Sequence, residues 1–170
     1  MKLTIRNGRL PDLDRVWEIE KQAFPPAEAA LRETYEYRLK NISDWFFVGE
    51  LDGEIVSAVV GRLTQRDVFS DALYENISLE AGPYFAILSV LTSDEHRKKG
   101  FAGQVLEYSI EAARQAGLKG ITLACKDYLI AYYEKFGFQK IGVSESAHGG
   151  AVWNDMRLEF EKEKTIPEGV

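Results

Sequence analysis

The chain has 170 residues, 45% of them hydrophobic and 12% aromatic, and a formal net charge of -6. Such a chain can bury one sizeable core without staples, while its acidic balance argues against general nucleic-acid binding, which rests on basic surface. The single cysteine, Cys125, excludes an intrachain disulfide and a metal site of several cysteines, and no apolar run approaches the ~20 residues that span a bilayer.

"LTIR", residues 3–6, alternates and reads as a first strand, with no apolar signal-peptide stretch around it. The expectation is a cytoplasmic protein that works neither on a membrane nor on nucleic acid. "PDLDRVWEIEKQAF" places Leu13, Trp17 and Phe24 at roughly helical intervals, and Pro11 suits a first helical turn. A second helix is read over "PPAEAALRETYEYRLKN", residues 25–41, after the break marked by Pro25 and Pro26. "WFFVGELDGEIVSAVVGRL" is the clearest local signal: two β-rich runs flank Asp52-Gly53, the pair favoured in a two-residue hairpin. Residues 65–82 are polar and irregular, with room for a helical turn. "PYFAILSVLT" reads as a buried fourth strand.

Residues 100–117 carry Ala102, Leu106, Ile110 and Ala113 on one face of a long amphipathic helix that Gly117 ends. "GITLAC" is short and continuously apolar, hence a central strand. "DYLIAYYEKF" is a brief helix with Asp127 as N-cap, stopped by Gly137. "FQKIGVS" and "GAVWNDMRLEF" alternate as two last strands around "ESAHGG". The order β-α-α-β-β-β-α-β-α-β-β predicts a single α/β domain over 1–160, one mixed sheet with helices on its faces. The polar tail 161–170 is expected to fray.

The fourth strand meets the long helix at "EHRKKGFAG". A helix start exposes unpaired N–H groups and about half a positive charge, and a glycine-containing loop before it makes an anion site. Gly100 permits close approach, Ala102 and Gly103 keep the first turn slim, and Arg97, Lys98 and Lys99 add positive potential. The nucleotide P-loop and the dinucleotide G-x-G-x-x-G are both absent.

"RKKGFA" resembles the R/Q-x-x-G-x-G/A pattern of the GNAT N-acetyltransferase superfamily, placed after the fourth strand as in that family. "YYEKFGF" is similar to its later landmark. "FFVGELDGEIVSAVVGRL", "CKDYLIAYYEKFGF" and "SESAHGGAVWNDM" resemble the arylalkylamine N-acetyltransferase branch. The resemblance spans nearly the whole chain. It implies a mostly antiparallel sheet of about seven strands, flanked by about four helices, with the fourth and fifth strands splayed.

It also implies bound acetyl-coenzyme A as acetyl donor, and no metal. The amides of Lys98, Lys99, Gly100, Phe101, Ala102 and Gly103 would hold its pyrophosphate, beside Arg97. Val90, Leu91 and Thr92 would pair with its pantetheine arm as an added strand does. Tyr133 matches the family's tyrosine beside the thioester sulfur, the general acid for the departing thiol.

Acyl transfer to an amine further needs an N–H for the developing oxyanion, sought near Leu91 or Thr92, and a proton acceptor. The two fourth-strand histidines of vertebrate arylalkylamine enzymes fall at Ala86 and Leu88 here, and neither titrates. His148 and Glu28 are the remaining candidates; His96 reads as surface. Glu28 is placed in a first helical turn. Trp153 either packs in the core or offers a cation–π floor, while Tyr35, Phe46 and Phe47 belong either to the acceptor side or to the core. Cys125 reads as a buried, inert thiol.

The expected activity is acetylation of a small primary amine, an arylalkylamine or a polyamine, by direct attack. The alternatives are a protein N-terminus or lysine as acceptor, or a coenzyme A-binding module without catalysis. Exposed strand edges leave a homodimer open.

Overall fold

The hairpin turn and the alternating apolar runs dictate the sheet. In the computed structural model, which describes residues 1–75 and 81–161, the strands are β1 (Thr4–Asn7), β2 (Phe46–Leu51), β3 (Glu54–Thr64), β4 (Tyr84–Thr92), β5 (Gly120–Cys125), β6 (Gln139–Val143) and β7 (Asn154–Glu159). The helices are α1 (Leu13–Ala23), α2 (Arg32–Asn41), α3 (Phe101–Gln115) and α4 (Ile130–Glu134). The strands form one seven-stranded sheet in the order β1-β2-β3-β4-β5-β7-β6. Every neighbouring pair is antiparallel except β4–β5.

Asp52 and Gly53 both take positive φ, 52° and 83°, the geometry of the hairpin turn read from their identities. Gly117 (φ 76°) ends α3 as a left-handed C′ residue, and the Leu118 N–H closes onto Ala113 O at 3.2 Å, the Schellman arrangement. α3 packs Phe101, Val105, Leu106 and Ala113 against Leu3, Phe47, Val59, Phe85 and Ile121 on one face of the sheet. α1 and α2 pack Leu13, Val16, Ile19, Tyr35 and Leu39 against Phe46, Val48, Val60 and Leu91 on the other. Tyr35, Phe46 and Phe47 are therefore core residues.

β4 and β5 pair only over Tyr84↔Gly120, Phe85↔Ile121 and Ala86↔Thr122. Beyond Ala86 they diverge, and a register shift between Val60 and Gly61 on β3 leaves Leu88 as the extra residue of a bulge in β4, which bends that strand further. This wedge is the opening that the site occupies.

Three boundaries differ from the sequence reading. α2 begins at Arg32, not at residue 25. Glu28 and Ala29 both donate their N–H to Pro25 O, at 2.9 and 3.0 Å, and Leu31 is extended before the helix starts. Alanine's helix propensity is overruled by contacts this turn makes elsewhere, so Glu28 lies in a loop. Asp127 is no N-cap: it opens a 3-10 turn, and its carboxylate accepts from Asn154 Nδ2 at 2.7 Å. β7 starts at Asn154, which leaves Trp153 just outside it. A 3-10 turn at Asp71–Tyr74 falls in the irregular stretch, of which 76–80 lie outside the described residues. So do 162–170 of the tail.

Candidate active site

Two cavities meet in the wedge between β4 and β5. A groove of about 340 Å³ runs along the C-terminal end of β4 to the start of α3. A second cavity of about 250 Å³ lies between β4, β5, α1, α2 and the loop after β6. Phe24, Val90, Leu129 and Tyr133 line both, so these residues stand where one opens into the other.

The loop into α3 has the shape of an anion cradle. Lys98 (φ 62°) and Gly100 (φ 80°) are both left-handed, and a left-handed lysine is a strained conformation that a functional loop tolerates. The amides of Phe101, Ala102 and Gly103 open the helix, with no preceding turn to accept from them. Space around Gly100 is open, whereas a Cβ on Gly103 would meet Phe136 Cζ at 3.3 Å. Arg97, Lys98, Gly100, Phe101, Ala102 and Gly103 line the groove, and Lys99 does not. Arg97 is already engaged, paired with Asp94 at 3.2 Å and reaching Gln22 O at 3.4 Å. His96, read as surface, lines the groove, its Nδ1 3.3 Å from Ser93 Oγ.

Strand alternation decides which main-chain groups face the groove. Ser93 N donates to Val56 O on β3 at 2.8 Å. Leu91, two residues back, therefore also turns its main chain to β3, while Val90 and Thr92 turn theirs away from it, into the wedge. Val90 and Thr92 line the groove; Leu91 lines neither cavity. Of the three residues expected to pair with the pantetheine arm, Val90 and Thr92 face the wedge and Leu91 does not. Of the two positions where an oxyanion N–H is sought, Thr92 turns its main chain into the wedge and Leu91 does not; Val90, which lines both cavities, also does.

Tyr133 reaches the junction from α4, ring to edge with Tyr132 at 5.2 Å and Phe138 at 5.8 Å. Burial raises its phenol well above the ordinary value, with smaller contributions from Tyr132, Cys125 and Tyr128. The phenol thus keeps its proton across the neutral range. Burial also pushes the Cys125 thiol up to about 11. That thiol is buried and inert, as read, but it lines the second cavity.

Three loops roof part of the second cavity. Asp71 receives hydrogen bonds from Ser146 Oγ and, at 3.1 Å, from Ala147 N, which ties the loop after β6 to the 3-10 turn. His148 stacks on Tyr74 at 4.3 Å and sits 2.9 Å from Glu28 O through Nε2. A carbonyl only accepts, so Nε2 carries a proton and donates it to Glu28 O. Trp153 Nε1 donates to His148 O at 2.9 Å. Gly149 (φ 63°) lies so close that a Cβ there would stand 2.5 Å from Glu28 Cγ. The Glu28 side chain is 6% exposed; Lys126 Nζ holds Oε1 at 2.7 Å, and Oε2 is buried without a partner. Trp153 lines this cavity, and the cation over its ring is Lys126 Nζ, 5.5 Å from the centroid.

Two lining residues went unnoticed in the sequence. Glu20 of α1 is buried; its Oε1 accepts from Tyr35 Oη at 3.0 Å and Ser89 Oγ at 3.3 Å, and its Oε2 has no partner. Burial pushes its carboxyl up to about 7, against the pull of Tyr35, Arg38 and Ser89. Arg38 of α2 is buried too, with Nε and Nη1 unpartnered. The signal was present: each is a charged residue on the apolar stripe of its helix, next to Ile19 and Leu39 respectively, where a charge is seldom left without a task.

A groove that meets a second, partly open cavity at a phenol is a layout that suits group transfer between two bound molecules. The model of the Acetyltransferase (GNAT) family matches residues 13–138. The chain belongs to that family, and is an acetyl-CoA-dependent N-acetyltransferase. It is 28% identical over 153 residues to an N-alpha-acetyltransferase of Sulfurisphaera tokodaii, covering 82% of this chain and 81% of the relative. It is 27% identical over 141 residues to the serotonin N-acetyltransferase of Mesocricetus auratus, covering 77% of this chain and 65% of the relative. A GNAT family acetyltransferase from Brucella melitensis, solved with acetyl-CoA, superposes with a TM-score of 0.63 at 19% identity, covering 99% of this chain and 93% of the other.

Proposed function

We propose that the chain acetylates a small primary amine, held in the second cavity, by direct attack on the thioester. The observation that carries this reading is the junction. One residue set, Phe24, Val90, Leu129 and Tyr133, lines both the donor groove and a cavity of about 250 Å³. Volume and roof favour a small acceptor over a folded protein surface.

The residues present fit acetyl-coenzyme A. The α3 amides of Phe101, Ala102 and Gly103, with Lys98 at the mouth, would take the pyrophosphate, and the free edge of β4 at Val90 and Thr92 would take the pantetheine arm. The cofactor supplies an acyl thioester, whose C–S bond breaks as the N–C bond to the amine forms. The Val90 N–H would receive charge developing on the carbonyl oxygen, a role typically worth about 3–4 kcal/mol.

Tyr133 gives its proton to the departing sulfur. A phenol raised by burial would be a poor donor to a thiolate in water, but the same burial raises thiols there, as it does Cys125. Burial raises the phenol further than it raises that thiol, so the transfer requires a departing thiolate buried as deeply as the phenol itself. Glu28 Oε2 receives the ammonium, whose pKa near ~10 demands an acceptor before attack, and takes its proton. His148, its Nε2–H committed to Glu28 O, holds the roof and the Glu28 loop in place.

The N-alpha-acetyltransferase relative favours a second reading, a peptide N-terminus as acceptor. Free-thiol release from acetyl-CoA, measured against arylalkylamines, polyamines, amino acids and short peptides, separates them. Turnover of small amines with at least about tenfold higher kcat/KM than peptides is expected. Turnover confined to peptides refutes the small-acceptor reading. Tight cofactor binding with no release for any amine leaves a non-catalytic module.

A further inference from the structure

The acceptor cavity has a far end that the chemistry above does not use. Glu20 and Arg38 line the cavity but not the groove, so they lie away from the junction where acyl transfer occurs. Arg38 is 1% exposed, and its Nε and Nη1 meet no hydrogen-bond partner. Its guanidinium sits 5.4 Å over the Tyr35 ring, and Tyr35 also engages it by a side-chain hydrogen bond, which leaves Nε and Nη1 without a partner. Glu20 makes no hydrogen bond to Nε or Nη1, its Oε1 being given to Tyr35 and Ser89, although the two side chains lie within electrostatic reach of one another. A guanidinium is five donors in a planar fork with no acceptor of its own. Leaving two of them bare in a buried site costs more than a typical hydrogen bond returns, and more for a charged group.

We infer that this fork is a substrate subsite: the acceptor amine also carries a carboxylate, which the Arg38 guanidinium binds, making the substrate a small amino acid. The inference rests on the acyl-transfer reading above. The cavity then recognises both ends of one molecule. The amino group lies at the junction, toward Glu28 Oε2, Val90 and Tyr133. The carboxylate lies between α1 and α2, where a planar fork reads a planar anion. A plain arylalkylamine would set an apolar ring against bare donors, and a polyamine would set a second cation there. Glu20 does not oppose the arrangement, because burial lets its carboxyl hold a proton near neutral pH. The phenols of Tyr35 and Tyr74, both raised by burial, stay neutral beside it.

Matched amines that differ only in a carboxylate test this: phenylalanine against 2-phenylethylamine, lysine against cadaverine, 2,4-diaminobutyrate against 1,3-diaminopropane. With free-thiol release as readout, the carboxylated member of at least one pair should show kcat/KM higher by about tenfold or more, the scale of a charged hydrogen bond. Arg38→Gln should bring that ratio close to one, and Arg38→Lys should keep part of it. Should Arg38→Gln not fold, wild-type protein decides through 3-phenylpropionate, an acid without an amine. Inhibition competitive with the amine supports the subsite; none at millimolar concentration overturns it. Plain amines turned over as well as or better than their carboxylated partners in every pair sink the Arg38 assignment and leave acetyl transfer standing. A peptide preferred to every free amino acid also sinks it. No thiol release from any acceptor removes the parent reading instead.

Discussion

Replacing Glu20 by Gln should change how the protein's stability depends on pH. Glu20 is buried between α1, Tyr35 and Ser89, and burial raises its carboxyl from the usual 4.5 to about 7. Between those values the folded protein keeps a proton that the unfolded chain has released. Stability therefore falls as pH rises through that window and levels off above it. The difference corresponds to about 3 kcal/mol, or a melting temperature lower by about 10 °C for a chain of this length. Gln copies the neutral carboxyl and cannot ionise. Melting wild type and Glu20→Gln side by side from pH 4.5 to 8 isolates this group, since titrations common to both cancel. The two should melt together near pH 4.5, with the variant higher by about 10 °C at pH 8. A constant gap across the range, or a wild type that gains on the variant as pH rises, would show that Glu20 is folded as a well-compensated anion.

Tyr133→Phe removes only the proposed proton donor. Its kcat should fall by about 100-fold while calorimetry finds acetyl-CoA affinity within threefold of wild type; full turnover across the pH profile would exclude the phenol as acid. Gly149→Ala places a Cβ 2.5 Å from Glu28 Cγ at a positive φ, so the roof must shift. The KM for the amine should rise by about tenfold, with acetyl-CoA binding unchanged; a rise in both would mean that the loop also shapes the donor groove.

Much of this architecture is legible in the residues alone, and the reasons are local. Asp52-Gly53 admits the two positive φ angles of its turn. Gly117 admits the left-handed residue that ends α3, and the apolar run of "GITLAC" suits only a strand covered on both faces. The loop at 97–103 was equally readable, because glycine placement and the electrostatics of a helix start follow from covalent structure. What sequence could not supply were relations between distant segments. The run 25–31 reads as helix by propensity, yet Gly149 and His148 press on it from 120 positions away and hold it as a turn. Leu91 and Val90 are alike as residues, and only the register with β3 decides which of them faces the wedge. Glu20 and Arg38 are unremarkable in a list of charges until packing of α1 and α2 against β4 strips their water. Chain chemistry fixed which backbone shapes were allowed, whereas burial, which belongs to the assembled fold, decided which polar atoms were left without a partner.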